Sequence, residues 1–288
     1  MMIKIYFIKL LILLPLLASF YFCINKLYSV SFNIKRRKIA LYDIFKFFKN
    51  RELSFEFKII ILSTILVYFA LAFLPFGPNT YVFISSYSLL FILSIILIIN
   101  LLLQLTSKYN SLGFILDFTK LEWFFVTNVP LVIILIAISY SAHSFSLIEI
   151  VKLQTTSIWN WNLFYSPPFF ILGIIYFISM IIIFNSSPIF LKDYLEEEKE
   201  ENDNTINIRN SLRRFYRVTL ILVFVYLFAI LFLGGYHLPF INVILYQDLF
   251  STSISALFFF LKTFCIIVIL FRVERMITRF DEEPIFKY

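Results

Sequence analysis

A chain of 288 residues that is 61% hydrophobic and only 15% charged lies outside the range of soluble globular domains and inside that of membrane proteins. Its net charge of +7 sits in stretches that flank apolar runs, which argues against a nucleic-acid partner and for anionic lipid headgroups. The two cysteines, Cys23 and Cys265, both fall in apolar runs, which excludes a disulfide framework and a thiolate metal cluster.

A hydrocarbon slab about 30 Å thick needs roughly 20 apolar residues per helix. Seven runs answer to this, near 6–24, 59–76, 81–105, 123–142, 163–184, 215–233 and 252–271. They leave no room for a soluble domain. The chain therefore reads as one membrane domain over 1–288, all-α and polytopic, with about seven transmembrane helices. The first run, with Lys4 and Lys9 at its start, has the look of a signal peptide. The spans that follow favour a first transmembrane helix.

Lysine and arginine alternate sharply between spans. Bases from Lys26 to Lys58 separate the first two runs, Lys108 and Lys120 the third and fourth, and Lys192 to Arg217 the fifth and sixth. Arg272, Arg275, Arg279 and Lys287 follow the seventh. The opposite side holds Lys4, Lys9 and Lys152. The positive-inside rule places the first group in the matrix or cytoplasm with the C-terminus, and the N-terminus outside.

After the first run, Leu41, Ile44, Phe45 and Phe48 recur at helical spacing, with Asp43, Lys46 and Asn50 on the opposite face. The stretch Lys38–Asn50 is thus an amphipathic interfacial helix, which by itself need be no more than an anchor. The longest polar stretch, 185–212, forms a charged loop on the inner side. Its run Glu196 to Glu201 has the character of a solvated face.

Lys262 stands in the middle of the seventh run. A lysine at the centre of a span costs about 2.5–3.5 kcal/mol on insertion scales, so an inward-facing functional or structural lysine is favoured over a lipid-facing one. His143 and His237, near the outer ends of spans, have no spaced partner for a metal and suit interfacial packing. Tryptophan and tyrosine near span ends read as aromatic belts. No glycine-rich phosphate loop is present, so nucleotide binding is not expected. No catalytic residue and no metal ligand is assigned.

Several stretches carry a family resemblance. Phe232-Leu233-Gly234-Gly235-Tyr236-His237-Leu238-Pro239, then Leu261-Lys262-Thr263, then Arg279-Phe280-Asp281, resembles the C-terminal part of chain 1 of NADH:ubiquinone oxidoreductase, the NuoH family. Tyr42-Asp43-Ile44-Phe45-Lys46 resembles that family's Ala-Asp-x-x-Lys stretch, and Lys26 matches the lysine ending its Glu-Arg-Lys motif. Asn185-Ser186-Ser187-Pro188-Ile189-Phe190-Leu191-Lys192-Asp193 is similar to its Asn-Arg-x-Pro-Phe-Asp-Leu-x-Glu, with arginine replaced by Ser186 and aspartate by Phe190. Elsewhere the family's buried acids are matched by Asn128, Ile183 and Arg217.

The resemblance implies a membrane subunit of respiratory complex I, in the mitochondrial inner membrane or a bacterial plasma membrane. It implies a share in the ubiquinone chamber, with Lys26, Asp43, Phe45, Lys46, Phe48, Pro188 and Asp193 at the quinone. It also implies a charge relay through Asp193, Glu197 and Lys262. Ubiquinone is then the substrate, flavin and iron–sulfur clusters belong to partner subunits, and this chain binds no cofactor covalently. Partners are other membrane-arm and quinone-module subunits and lipids; the family's eighth helix, which would follow Tyr288, is either lost or supplied by a separate small chain. Two other readings stay open. One is the membrane subunit of an ion-pumping hydrogenase-type complex. The other is a stand-alone seven-span transporter, against which the lack of an internal repeat speaks.

Overall fold

The computed structural model describes residues 55–75, 86–105, 113–154, 157–186, 219–239 and 249–282. Among the described residues every regular element is a helix. The run at 6–24, the interfacial helix at 38–50 and the charged loop beyond Ser186 lie outside them.

Helix α1, Phe55–Ala72, closes with tight turns from Phe73 N–H to the Ala70 carbonyl and from Leu74 N–H to that of Leu71. Pro75 then bars further helix. Helix α2, Ser88–Leu105, packs on α1. Helix α3, Gly113–Ala142, runs for 30 residues and contains Pro130. It starts ten residues earlier than the apolar run predicts, because a helix continues through polar residues that hydropathy discounts.

The end of α3 is marked by His143 in the left-handed region, φ +49°. Helix α4, Leu147–Leu153, then leaves at 62° to the second half of α3. Two hydrogen bonds pin this corner to the start of α2: Leu89 N–H donates to the Phe145 carbonyl at 3.0 Å, and Leu147 N–H to Ser88 Oγ at 2.9 Å. A single 3-10 turn, Ile158–Asn160, and the short α5, Asn162–Tyr165, lead into α6, Pro167–Ser186. Prolines open α6, where a missing N–H costs nothing.

Helix α7, Thr219–Phe232, is buried at every position. A helix apolar all round has no solvent face to offer, so it sits in the middle of the core. On one side Tyr176 of α6 donates its hydroxyl to the Phe224 carbonyl at 3.1 Å and sets its ring 5.7 Å from that of Phe228. On the other, Tyr226 lies 5.4 Å, ring to ring, from Phe259 of α8, Leu249–Glu282. The outer helices instead expose apolar stripes: Val129, Ile133, Ile136 and Tyr140 on α3, and Leu257, Leu261 and Phe264 on α8. Such continuous apolar stripes are unsuited to contact with water.

By length and composition Ile254–Val273 of α8 is long and apolar enough to cross a membrane. The halves of the bent α3–α4 pair pass the same test jointly. Ile61–Leu71, Ser88–Ile99, Pro167–Ile183 and Thr219–Phe232 are shorter apolar helices. The described helices overlap the six predicted runs from 59 onwards.

Candidate functional site at the Gly-Gly turn

Helix α7 ends inside the protein, and its last carbonyls have no partner within the helix. In a buried site each orphan carbonyl costs a full desolvation penalty, about 1–3 kcal/mol. The chain answers with a left-handed turn and three side chains from elsewhere.

The turn is Gly234-Gly235, with φ +70° and +51°. Residues with a Cβ rarely hold this conformation. The fold leaves no room for one either: a Cβ at Gly234 would stand 2.5 Å from Trp161 Nε1, and one at Gly235 3.0 Å from Val151 Cγ2. The turn reverses the chain so that Gly235 N–H joins Leu233 N–H on the Ala229 carbonyl, and His237 N–H reaches the Gly234 carbonyl at 2.9 Å.

Gln154, at the end of α4, uses both ends of its amide. Its Nε2 donates to the Ile230 carbonyl at 2.9 Å and to that of Leu231 at 3.2 Å. Its Oε1 accepts Gly234 N–H at 2.9 Å and Asn162 N–H at 3.4 Å. Asn162 Nδ2 adds a second donor to the Leu231 carbonyl at 2.7 Å.

Lys262 completes the cap from α8. Its Nζ donates to the carbonyls of Leu233 at 2.8 Å, Gly235 at 3.1 Å and His237 at 2.7 Å. It also lies 4.1 Å from the centre of the Trp161 ring, a cation–π distance. A cation at a helix C-terminus meets the negative end of the helix dipole. Trp161 is buried and its Nε1 has no hydrogen-bond partner among the described residues. The ring is there for its face.

His237 is buried, at 2% exposure, with Nε2 3.0 Å from the Val151 carbonyl. Burial holds the imidazole below its usual range. The hydrogen bond to Val151 opposes this, and the charge of Lys262 adds to it. The neutral ring then donates Nε2–H to Val151. His143, by contrast, is exposed.

Among the residues assigned from sequence, Lys262 alone lies within the described set, and it joins the Gly-Gly turn. Lys26, Asp43, Phe45, Lys46, Phe48, Pro188, Asp193 and Glu197 lie outside the described residues. Of the positions that match the family's acids, Asn128 and Ile183 are buried. Gln154, Trp161 and Asn162 were not singled out by sequence reasoning. Gln154 and Asn162 are common residue types in a polar connection, with partners far along the chain, and Trp161 was covered only by the general reading of tryptophans near span ends as aromatic belts.

No curated protein matches the chain. The family model for NADH dehydrogenase matches residues 40–286, nearly the whole length and including the Gly-Gly turn and Lys262. The chain therefore belongs to the NADH dehydrogenase family, that of chain 1 of complex I, and is a membrane subunit whose partners are other subunits of a complex I-type assembly.

Proposed function

We propose that this subunit forms part of the ubiquinone chamber of respiratory complex I and links electron transfer from NADH to quinone with proton translocation. The extent of the family match, residues 40–286, supports this reading, because it takes in the loop at 185–203 and nearly all of the helix at 38–50. Those are the two stretches that resemble the quinone-facing parts of the family.

Lys26, Asp43, Phe45, Lys46, Phe48, Pro188 and Asp193 meet the quinone on the inner side of the membrane. Asp193, Glu197 and Lys262 take part in the charge relay. Electrons arrive through flavin and iron–sulfur clusters on partner subunits, and the chain carries no redox cofactor of its own. It crosses the membrane seven times, with the N-terminus outside. A composition rich in Phe, Ile, Leu, Tyr, Asn and Lys suits an AT-rich mitochondrial genome and the mitochondrial inner membrane.

A photo-crosslinkable quinone analogue, applied to the purified complex, tests the chamber. Labelled peptides from 38–50 and 185–203 are expected. Labelling confined to outer loops, including Leu238–Asp248, rejects it. Subunit composition of the same preparation should include flavin and iron–sulfur proteins.

A further inference from the structure

The charge-relay reading leaves open whether Lys262 carries a proton or only a charge. The geometry decides by counting donors. Nζ has three acceptors within 3.1 Å: the carbonyls of Leu233, Gly235 and His237. An ammonium has three N–H bonds, one for each. A neutral amine has two, and its lone pair would then face a carbonyl lone pair at hydrogen-bond distance. The Trp161 ring, 4.1 Å away, likewise attracts a cation and gives nothing to an amine.

We propose that Lys262 is a stationary cation, a positioning residue that locks the end of α7 to α8 and contributes fixed positive charge to coupling, without itself releasing a proton in the pumping cycle. This rests on the proposed function for the word coupling, and on the structure alone for the lock. Among the described residues, the turn also holds His237, whose ring nitrogen is engaged with Val151 and whose carbonyl Lys262 holds, and Tyr236, whose ring lies 4.9 Å from that of His237. Among the described residues Lys262 contacts three backbone carbonyls and one ring, so its charge is spread at least in part over dipoles at the turn. A proton leaving it would unfasten the cap of a buried helix.

The test uses the assembled complex with Lys262→Arg and Lys262→Met. An arginine is always charged and cannot pass a proton on. The expected result for K262R is an assembled complex with the parent's ratio of protons moved per electron and the parent's pH profile. K262M is expected to lower the amount of assembled complex several-fold, because the carbonyls lose their donor. K262R that assembles and reduces quinone but moves fewer protons overturns the proposal, as does K262M assembling at the parent's level. If K262R does not assemble, K262H decides: at pH 8 its ring exchanges protons but bears little charge. Pumping by K262H at the parent's ratio overturns the proposal; loss of pumping or of assembly supports it. A parent complex that reduces no quinone fails the proposed function instead, and the assembly comparison of K262M with K262R still judges the lock.

Discussion

Gly234 donates its amide proton to Oε1 of Gln154, 80 residues earlier in the chain, at 2.9 Å. This bond joins the turn that ends α7 to the end of α4. It also fixes the face of the Gln154 amide, since the oxygen must point at Gly234 for the nitrogen to reach the Ile230 and Leu231 carbonyls.

Gly234→Ala should be the more damaging of the two glycine substitutions. The left-handed conformation costs a side-chain residue about 1–2 kcal/mol. At Gly234 the new Cβ also collides with the buried Trp161 ring, while at Gly235 it meets the tip of Val151. Heat-stability series of the complex on native gels should rank parent, then G235A, then G234A. Equal stability of all three would contradict the packing described.

Gln154→Ala should destabilise the subunit by about 1–3 kcal/mol, the cost of leaving buried amide and carbonyl groups unpaired. Gln154→Glu should fare no better. It keeps the acceptor for Gly234 but turns a charged oxygen toward the carbonyl end of α7, against its dipole. A thermal midpoint for Q154E at the parent's value would show that the carbonyls of Ile230 and Leu231 do not need a donor.

Trp161→Phe and Trp161→Ala should part company. Phenylalanine keeps a ring face for Lys262 and removes an indole N–H that has no partner among the described residues, so a loss within about 1 kcal/mol is expected. Alanine removes the ring from a buried site, at about 3–5 kcal/mol. Near-identical midpoints for the two would mean that the N–H matters more than the face.

Acid should loosen the turn through His237. Its folded range lies below the ordinary histidine value because of burial, so the unfolded chain binds the proton more readily. Stability from this group is complete above about pH 6.5 and is lost as pH falls below that value toward the folded range. Thermal midpoints of the complex taken from pH 8 downward should fall, and His237→Gln should flatten the part of the slope that begins near the histidine value. A parent whose midpoint rises on acidification would mean that the folded chain binds protons more readily than the unfolded one.

The limits of what could be read from sequence follow from range. The glycine pair and Lys262 stood out because such residues are rare in apolar runs, and rarity is local. Gln154 and Asn162 gave no such signal, since their partners on α7 and in the turn after it lie 69 to 80 residues away. Hydropathy located the helices but not their ends: α3 and α8 continue into polar residues at one end, where backbone hydrogen bonding persists after the apolar run has stopped. In α7 it could not name a buried face, because every face is buried. The corner at His143 was hidden too, since a histidine with positive φ breaks the preference for glycine or asparagine there.

Helix α8 has a mechanical side. Its 34 residues make a rod about 51 Å long, against an apolar slab of about 30 Å. Past Val273, the end of its apolar stretch, the rod runs on without a break through Arg275 and Arg279 to Glu282. The lock at Lys262 and this charged overhang therefore lie on one continuous helix. A push on the overhang by a neighbouring subunit would be felt at the Gly-Gly turn as a tilt or twist, with no loop between them to absorb it.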